Sequence, residues 1–107
     1  MPPHTIAALP VPVSPSAIAT FCQLNAICKL SLFGSVLRTD FTPESDVDVL
    51  VEFASGHTPG LAIVRLAREL SPLLGERTID LRTPQELSRY CRDRVLSEAM
   101  TLYEQPR

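Results

Sequence analysis

Asp46 and Asp48 stand two residues apart in the run Asp46-Val-Asp-Val-Leu-Val-Glu-Phe53. On a strand that spacing points both side chains to one face, with Cα atoms roughly 7 Å apart. Carboxylates so placed can share a pair of Mg²⁺ ions about 3.5–4 Å apart, which stabilise the attacking and leaving oxygens of a phosphoryl displacement. Mg²⁺ prefers a few carboxylates plus substrate phosphates to an all-protein cage, so two or three aspartates suffice. Gly34-Ser35 precedes the pair by ten residues and closes an apolar run. Glycine lets backbone approach a ligand, and free N–H groups at a helical start attract phosphate. The Ser35 hydroxyl adds a donor, and Arg38, one turn on, is placed to reach a phosphate or pin the loop. Ser45, next to the acidic pair, completes the candidate nucleotide-binding set. Asp80 is isolated between Ile79 and Leu81. If its strand pairs beside the Asp46–Asp48 strand, it joins the cluster as a metal ligand and helps remove a proton from an incoming hydroxyl.

Each feature alone has a plain structural explanation. A Gly-Ser turn often serves geometry only, and acidic residues at a strand start are commonly solvated. Asp80 by itself would be a surface charge or a partner for Arg77 or Arg82. The combination of types, order and spacing is what points to chemistry.

The elements that must position these residues follow from periodicity. Ser14-Pro15 is a helix-start signal, and Ile18, Phe21 and Cys22 recur at helical spacing behind it. Lys29–Phe33 alternates as a strand, with a short helical turn after Gly34-Ser35 and a polar loop over Thr39–Ser45. Asp46–Phe53 is the strongest strand, with apolar Val47, Val49, Val51 and Phe53. A Gly/Pro loop over Ala54–Gly60 leads to an amphipathic helix marked by Leu61, Val64, Ala67 and Leu70. Pro72 ends or kinks it, Ser71 caps one further turn, and Gly75 closes that turn. Thr78–Arg82 alternates again, with Ile79 and Leu81 inward. Thr83-Pro-Gln-Glu86 reads as a capping box opening a final helix whose stripe is Val95, Leu96, Ala99 and Tyr103. The expected fold class is α/β (α+β), a small mixed β-sheet packed by helices.

The 107 residues and 45% hydrophobic content suit one domain over residues 14–107, after a flexible Pro-rich tail over residues 1–13. A net charge of −2 carries no basic footprint, so direct nucleic-acid binding is not expected. The N-terminal segment lacks the charged start and unbroken apolar run of a signal peptide or membrane span. Cys22, Cys28 and Cys91 form no C-x-x-C pair and read as reduced thiols of a cytoplasmic protein. His4 and His57 have no partner at motif spacing and are read as non-catalytic. Arg65, Arg68, Arg89, Arg92 and Arg94 read as a solvated helical face, and Tyr90 and Tyr103 as packing residues.

Gly34-Ser35, ten residues and Asp46-x-Asp48 together resemble the signature of the DNA polymerase beta-like nucleotidyltransferase superfamily. The run from Leu32 to Phe53 is similar to its minimal, single-domain branch, the MNT proteins, often encoded beside a HEPN-domain toxin as a toxin–antitoxin pair. The resemblance extends from about Phe21 to Tyr103, including Ile79-Asp-Leu81 and the closing segment Glu98-Ala-Met-Thr-Leu-Tyr103. It implies the polymerase beta-like fold, with Asp46, Asp48 and Asp80 as metal ligands and catalytic carboxylates. Gly34 and Ser35 match the phosphate-binding turn, and Arg38 an arginine common in this branch. Thr39 departs from the glycine many members carry there. The implied activity is Mg²⁺-dependent transfer of AMP from ATP to a tyrosine of a cognate HEPN toxin, silencing it. Two other readings stand beside it: an antitoxin that neutralises by binding alone, and a transferase acting on a small molecule such as an antibiotic. Short length weighs against the last, which usually needs a second domain to enclose its acceptor.

Overall fold

The computed structural model describes residues 9–38, 41–54, 60 and 62–105. In chain order the elements are α1 (Pro15–Leu24), β1 (Ile27–Phe33), a 3-10 turn (Gly34–Leu37), β2 (Val47–Phe53), α2 (Ala62–Leu70), a 3-10 turn (Ser71–Leu74), β3 (Ile79–Arg82), a 3-10 turn (Pro84–Glu86), α3 (Arg89–Glu98) and β4 (Met100–Glu104).

Ser14 caps α1 as its sequence predicts, accepting from the Ala17 N–H, with Pro15 in the first turn. Asn25 closes the other end, donating from Nδ2 to the Phe21 carbonyl at 2.8 Å. Ile18, Phe21 and Cys22 form the buried face. The four strands lie in the order β3-β2-β1-β4. β1 pairs antiparallel with both β2 and β4, whereas β2 and β3 are parallel. A parallel pair cannot be joined by a hairpin, so α2 and its trailing turn form the crossover from β2 to β3. Val47, Val49 and Val51 are fully buried, which puts the odd-numbered face of β2 in the core with Leu30, Leu32, Leu66 and Leu70. The alternate face of the same strand carries Asp48.

Several expectations need correction. The inward stripe of α2 is Ile63, Leu66, Ala67 and Leu70, while Val64 is 59% exposed. A row built only on i+3 steps spirals off one face of a helix, and the i, i+3, i+4, i+7 set stays on it. Leu61 lies outside the described residues.

The closing segment is not a continuous helix. α3 stops at Glu98, and Met100–Glu104 is a strand hydrogen-bonded along β1. A five-residue segment such as Met-Thr-Leu-Tyr-Glu is ambiguous between periods, and the free edge of β1 decides in favour of a strand. The box over Thr83–Glu86 forms, but it supports only the turn Pro84–Glu86. α3 begins afresh from Ser88, whose hydroxyl accepts from the Tyr90 N–H.

Tyr90 is 87% exposed and packs against no core, although Tyr103 does. Arg92 is not a solvated member of its helix. It donates to the carbonyls of Pro84 at 2.9 Å and Leu87 at 3.0 Å and ties α3 to the preceding turn.

Residues 1–8 of the expected tail lie outside the described residues, and Val11, at 4% exposure, already belongs to the core, flanked by Leu9 and Val13. The turn after α2 ends at Gly75 in the left-handed region, as Pro72 and Gly75 predict; Ser71 caps nothing there and donates its hydroxyl to the Arg77 carbonyl at 2.7 Å.

Candidate active site

The strand β1 ends at Phe33, whose cross-strand partner is Asp48. The chain then turns through Gly34 at φ +76°, a conformation that costs a residue with a Cβ. A Cβ at Gly34 would also overlap Oδ2 of Asp48. Backbone at the start of the 3-10 turn is thus laid directly against a carboxylate. Ser35 follows within that turn, and the Arg38 N–H closes it on the Ser35 carbonyl at 2.9 Å.

Asp48 is half-buried on β2, and its register partner across the parallel ladder is Asp80 on β3. Side chains at paired positions of a parallel ladder share a face, so the two carboxylates stand together. Burial is the main force pushing the Asp48 carboxyl above its ordinary range. Repulsion by Asp80 and a side-chain hydrogen bond with it act in the same direction, Arg82 opposes them, and Asp46 adds further repulsion. Arg82 itself pairs with Asp80, its Nε lying 3.3 Å from the carboxylate. Asp46, one residue ahead of β2, is exposed.

The loop that delivers Asp46 is held by contacts with no local sequence signal. Thr42 and Ser45 close a turn: the Thr42 N–H donates to Ser45 Oγ at 3.0 Å, and the Ser45 N–H to the Thr42 carbonyl at 3.0 Å. Arg77 then donates to the carbonyls of Thr42 at 2.7 Å and Ser45 at 2.8 Å. Its guanidinium also stacks 4.5 Å from the centre of the Phe41 ring. Arg77, considered in the sequence only as a partner for Asp80, is a clamp on the Asp46 loop. The Ser45 hydroxyl, a candidate nucleotide contact, is engaged in that turn. Thr39 and His57 lie outside the described residues.

The donor set is one of hard oxygens with more negative charge than Arg82 offsets, which suits a divalent cation such as Mg²⁺. Among the described residues no three His, Cys, Asp or Glu side chains converge into a ready-made metal cage. A site that leaves most positions to water and phosphate has no need of one. A pocket of about 880 Å³ opens between the Gly34–Leu37 turn and α3, with Gly34 and Arg38 in its wall; Asp46, Asp48 and Asp80 do not line it.

The family model described as "Polymerase beta, Nucleotidyltransferase" matches residues 16–107. The chain belongs to that family. This nucleotidyltransferase is 37% identical over 76 residues to "Putative protein adenylyltransferase MJ0435" of Methanocaldococcus jannaschii, an alignment covering 71% of this chain and 80% of the relative. Among solved structures, the nucleotidyltransferase matches one described as a "putative minimal nucleotidyltransferase" at 35% identity and a TM-score of 0.65, covering 80% of this chain and 86% of the other. It also shares its fold with a chain of the complex between tri-AMPylated Shewanella oneidensis HEPN toxin and MNT antitoxin, at 22% identity and a TM-score of 0.59, covering 85% and 70% of the two chains. Among the described residues no helix of the nucleotidyltransferase is long and apolar enough to cross a membrane.

Proposed function

We propose that this nucleotidyltransferase moves AMP from ATP to a tyrosine hydroxyl of a cognate HEPN toxin and so acts as its antitoxin in the cytoplasm. The observation that carries the chemistry is the Asp48–Asp80 pair on adjacent strands, pressed against the glycine of the Gly34-Ser35 turn. The acceptor is supported by two likenesses: to a relative named as a protein adenylyltransferase, and in fold to the antitoxin of an AMPylated HEPN toxin.

Asp46, Asp48 and Asp80 would hold Mg²⁺ as a pair of ions, which would supply charge neutralisation on the phosphates when bound. The Gly34-Ser35 turn receives the triphosphate on backbone N–H groups and the Ser35 hydroxyl, with Arg38 beside it. Asp80, at the open edge of the sheet, accepts the proton of the incoming hydroxyl. The acceptor oxygen bonds to the α-phosphorus, the bond to the bridging oxygen breaks, and pyrophosphate leaves. Catalysis is positioning and charge stabilisation.

The test is incubation of the partner toxin with α-labelled ATP and Mg²⁺. Wild type should label the toxin, and Asp46→Asn and Asp48→Asn should not. Equal labelling by the variants would sink the catalytic reading, and neutralisation that survives loss of all three aspartates would favour binding alone.

A further inference from the structure

We infer that Tyr90 is itself an acceptor: one copy of the nucleotidyltransferase transfers AMP to the Tyr90 hydroxyl of a second copy. This inference rests on the tyrosine-directed reading above and adds a modification site on the transferase.

The backbone of α3 is fixed at its start, where Ser88 caps the first turn and Arg92 grips the carbonyls of Pro84 and Leu87. Its side chains are not fixed in the same way, because no residue of α3 is buried. Tyr90, second in the helix, is 87% exposed. An acceptor has to bring its hydroxyl within about 3–3.5 Å of the phosphorus, so a ring on ordered backbone yet clear of packing fits the task. Tyr103, the other tyrosine of the chain, is held against the core within β4.

Arg89 gives Tyr90 a setting that a merely exposed ring lacks. Its guanidinium lies 5.3 Å from the ring centre, and its Nη2 donates to the hydroxyl at 3.4 Å. Among the described residues Arg89 has no carboxylate partner. A cation with free N–H groups beside the attacking oxygen is placed to hold the phosphate oxygens of the arriving AMP. It also complements the acidic edge that Asp48 and Asp80 form on the opposing copy, where β3 ends the sheet. Direction favours transfer between copies: Cys91, the next residue, lines the pocket of its own chain, whereas the Tyr90 ring stands out in solvent. In the step, the Tyr90 oxygen bonds to the α-phosphorus of ATP held by the acting copy. The bond from that phosphorus to the bridging oxygen breaks, pyrophosphate leaves with the electron pair, and the phenolic proton passes to Asp80 of the acting copy.

The full chain is incubated with ATP and Mg²⁺ in the absence of toxin, and its peptides are read by mass spectrometry for added AMP; a parallel reaction contains the toxin. Wild type should carry AMP on Tyr90 and not on Tyr103, at a rate per molecule that rises with protein concentration. Tyr90→Phe should carry none, and Arg89→Met should be modified about tenfold more slowly, the worth of one charge-assisted hydrogen bond. In a mixture of Asp48→Asn with Tyr90→Phe, AMP should appear on Tyr90 of the Asp48→Asn chain, since the other chain supplies the carboxylates. Toxin labelling with Tyr90 left unmodified overturns this inference and leaves the transferase reading standing. Absence of label on both overturns both. Modification of wild type with none in the mixture overturns transfer between copies.

Discussion

Gly34 and Asp48 occupy one space: the Asp48 carboxylate reaches into the volume that a Cβ at position 34 would fill. The same glycine sits at φ +76°, so two independent constraints fall on a single residue. Gly34→Ala should therefore push the carboxylate aside and strain the turn by on the order of 1–2 kcal/mol. We expect a fall in kcat/KM of about 100-fold or more, measured by toxin labelling, with a small drop in Tm. Ordinary activity with alanine would mean that the turn does not approach the reacting phosphates.

Asp48 makes metal-free stability depend on pH. Its carboxyl is raised above the ordinary 3.8 by burial first and by Asp80 next. The native state then holds a proton that the unfolded chain has released, so stability declines as pH rises through the native pKa. Asp48→Asn does not titrate there. In chelator it should melt above wild type at neutral pH, and the gap should close below the ordinary carboxyl range. Added Mg²⁺ should raise the wild-type Tm more than that of the variant.

Asp80→Asn removes the nearest negative neighbour of Asp48 while keeping the side-chain shape. Transfer should fall by about 100-fold or more. The pH dependence of melting should shrink as well, because Asp80 contributes to the rise of the Asp48 pKa. A variant that loses activity yet keeps the full pH dependence would place Asp80 away from Asp48 in solution.

Arg77 acts at a distance from the carboxylates by clamping Thr42 and Ser45. Arg77→Met leaves both carbonyls without that donor and should cost about 1–3 kcal/mol of stability. It should also raise the Mg²⁺ concentration for half-maximal activity, since Asp46 follows the clamped turn. Arg77→Lys, a point charge lacking the planar fork, should recover only part of this.

Cys22 should be silent in thiol chemistry. It is fully buried, and burial pushes its thiol up to about 12. Native protein at pH 8 should show no alkylation of Cys22 by peptide mapping until denaturant is added.

The candidate site residues were legible because their signals are local. Asp48 takes the face opposite Val47 and Val49 through strand alternation alone, although Asp46 stands one residue ahead of β2, Gly34 marks its turn by its own conformational freedom, and Ser14-Pro15 starts α1 from adjacent atoms. Strand alternation likewise marks Val47, Val49 and Val51 as core without knowledge of any partner.

Contacts that cross the chain left no such mark. That Asp80 faces Asp48 depends on β3 lying parallel to β2 in one register, since a shift of a single residue would turn its side chain to the opposite face. The Arg77 clamp joins residues 35 positions apart, and nothing near Thr42 announces it. Met100–Glu104 carries a pattern compatible with helix or strand, and only the open edge of β1 resolves it. Local sequence determined which residues are candidates for phosphoryl chemistry; the tertiary register decided which of them meet, because pairing across strands is a property of two segments and belongs to neither alone.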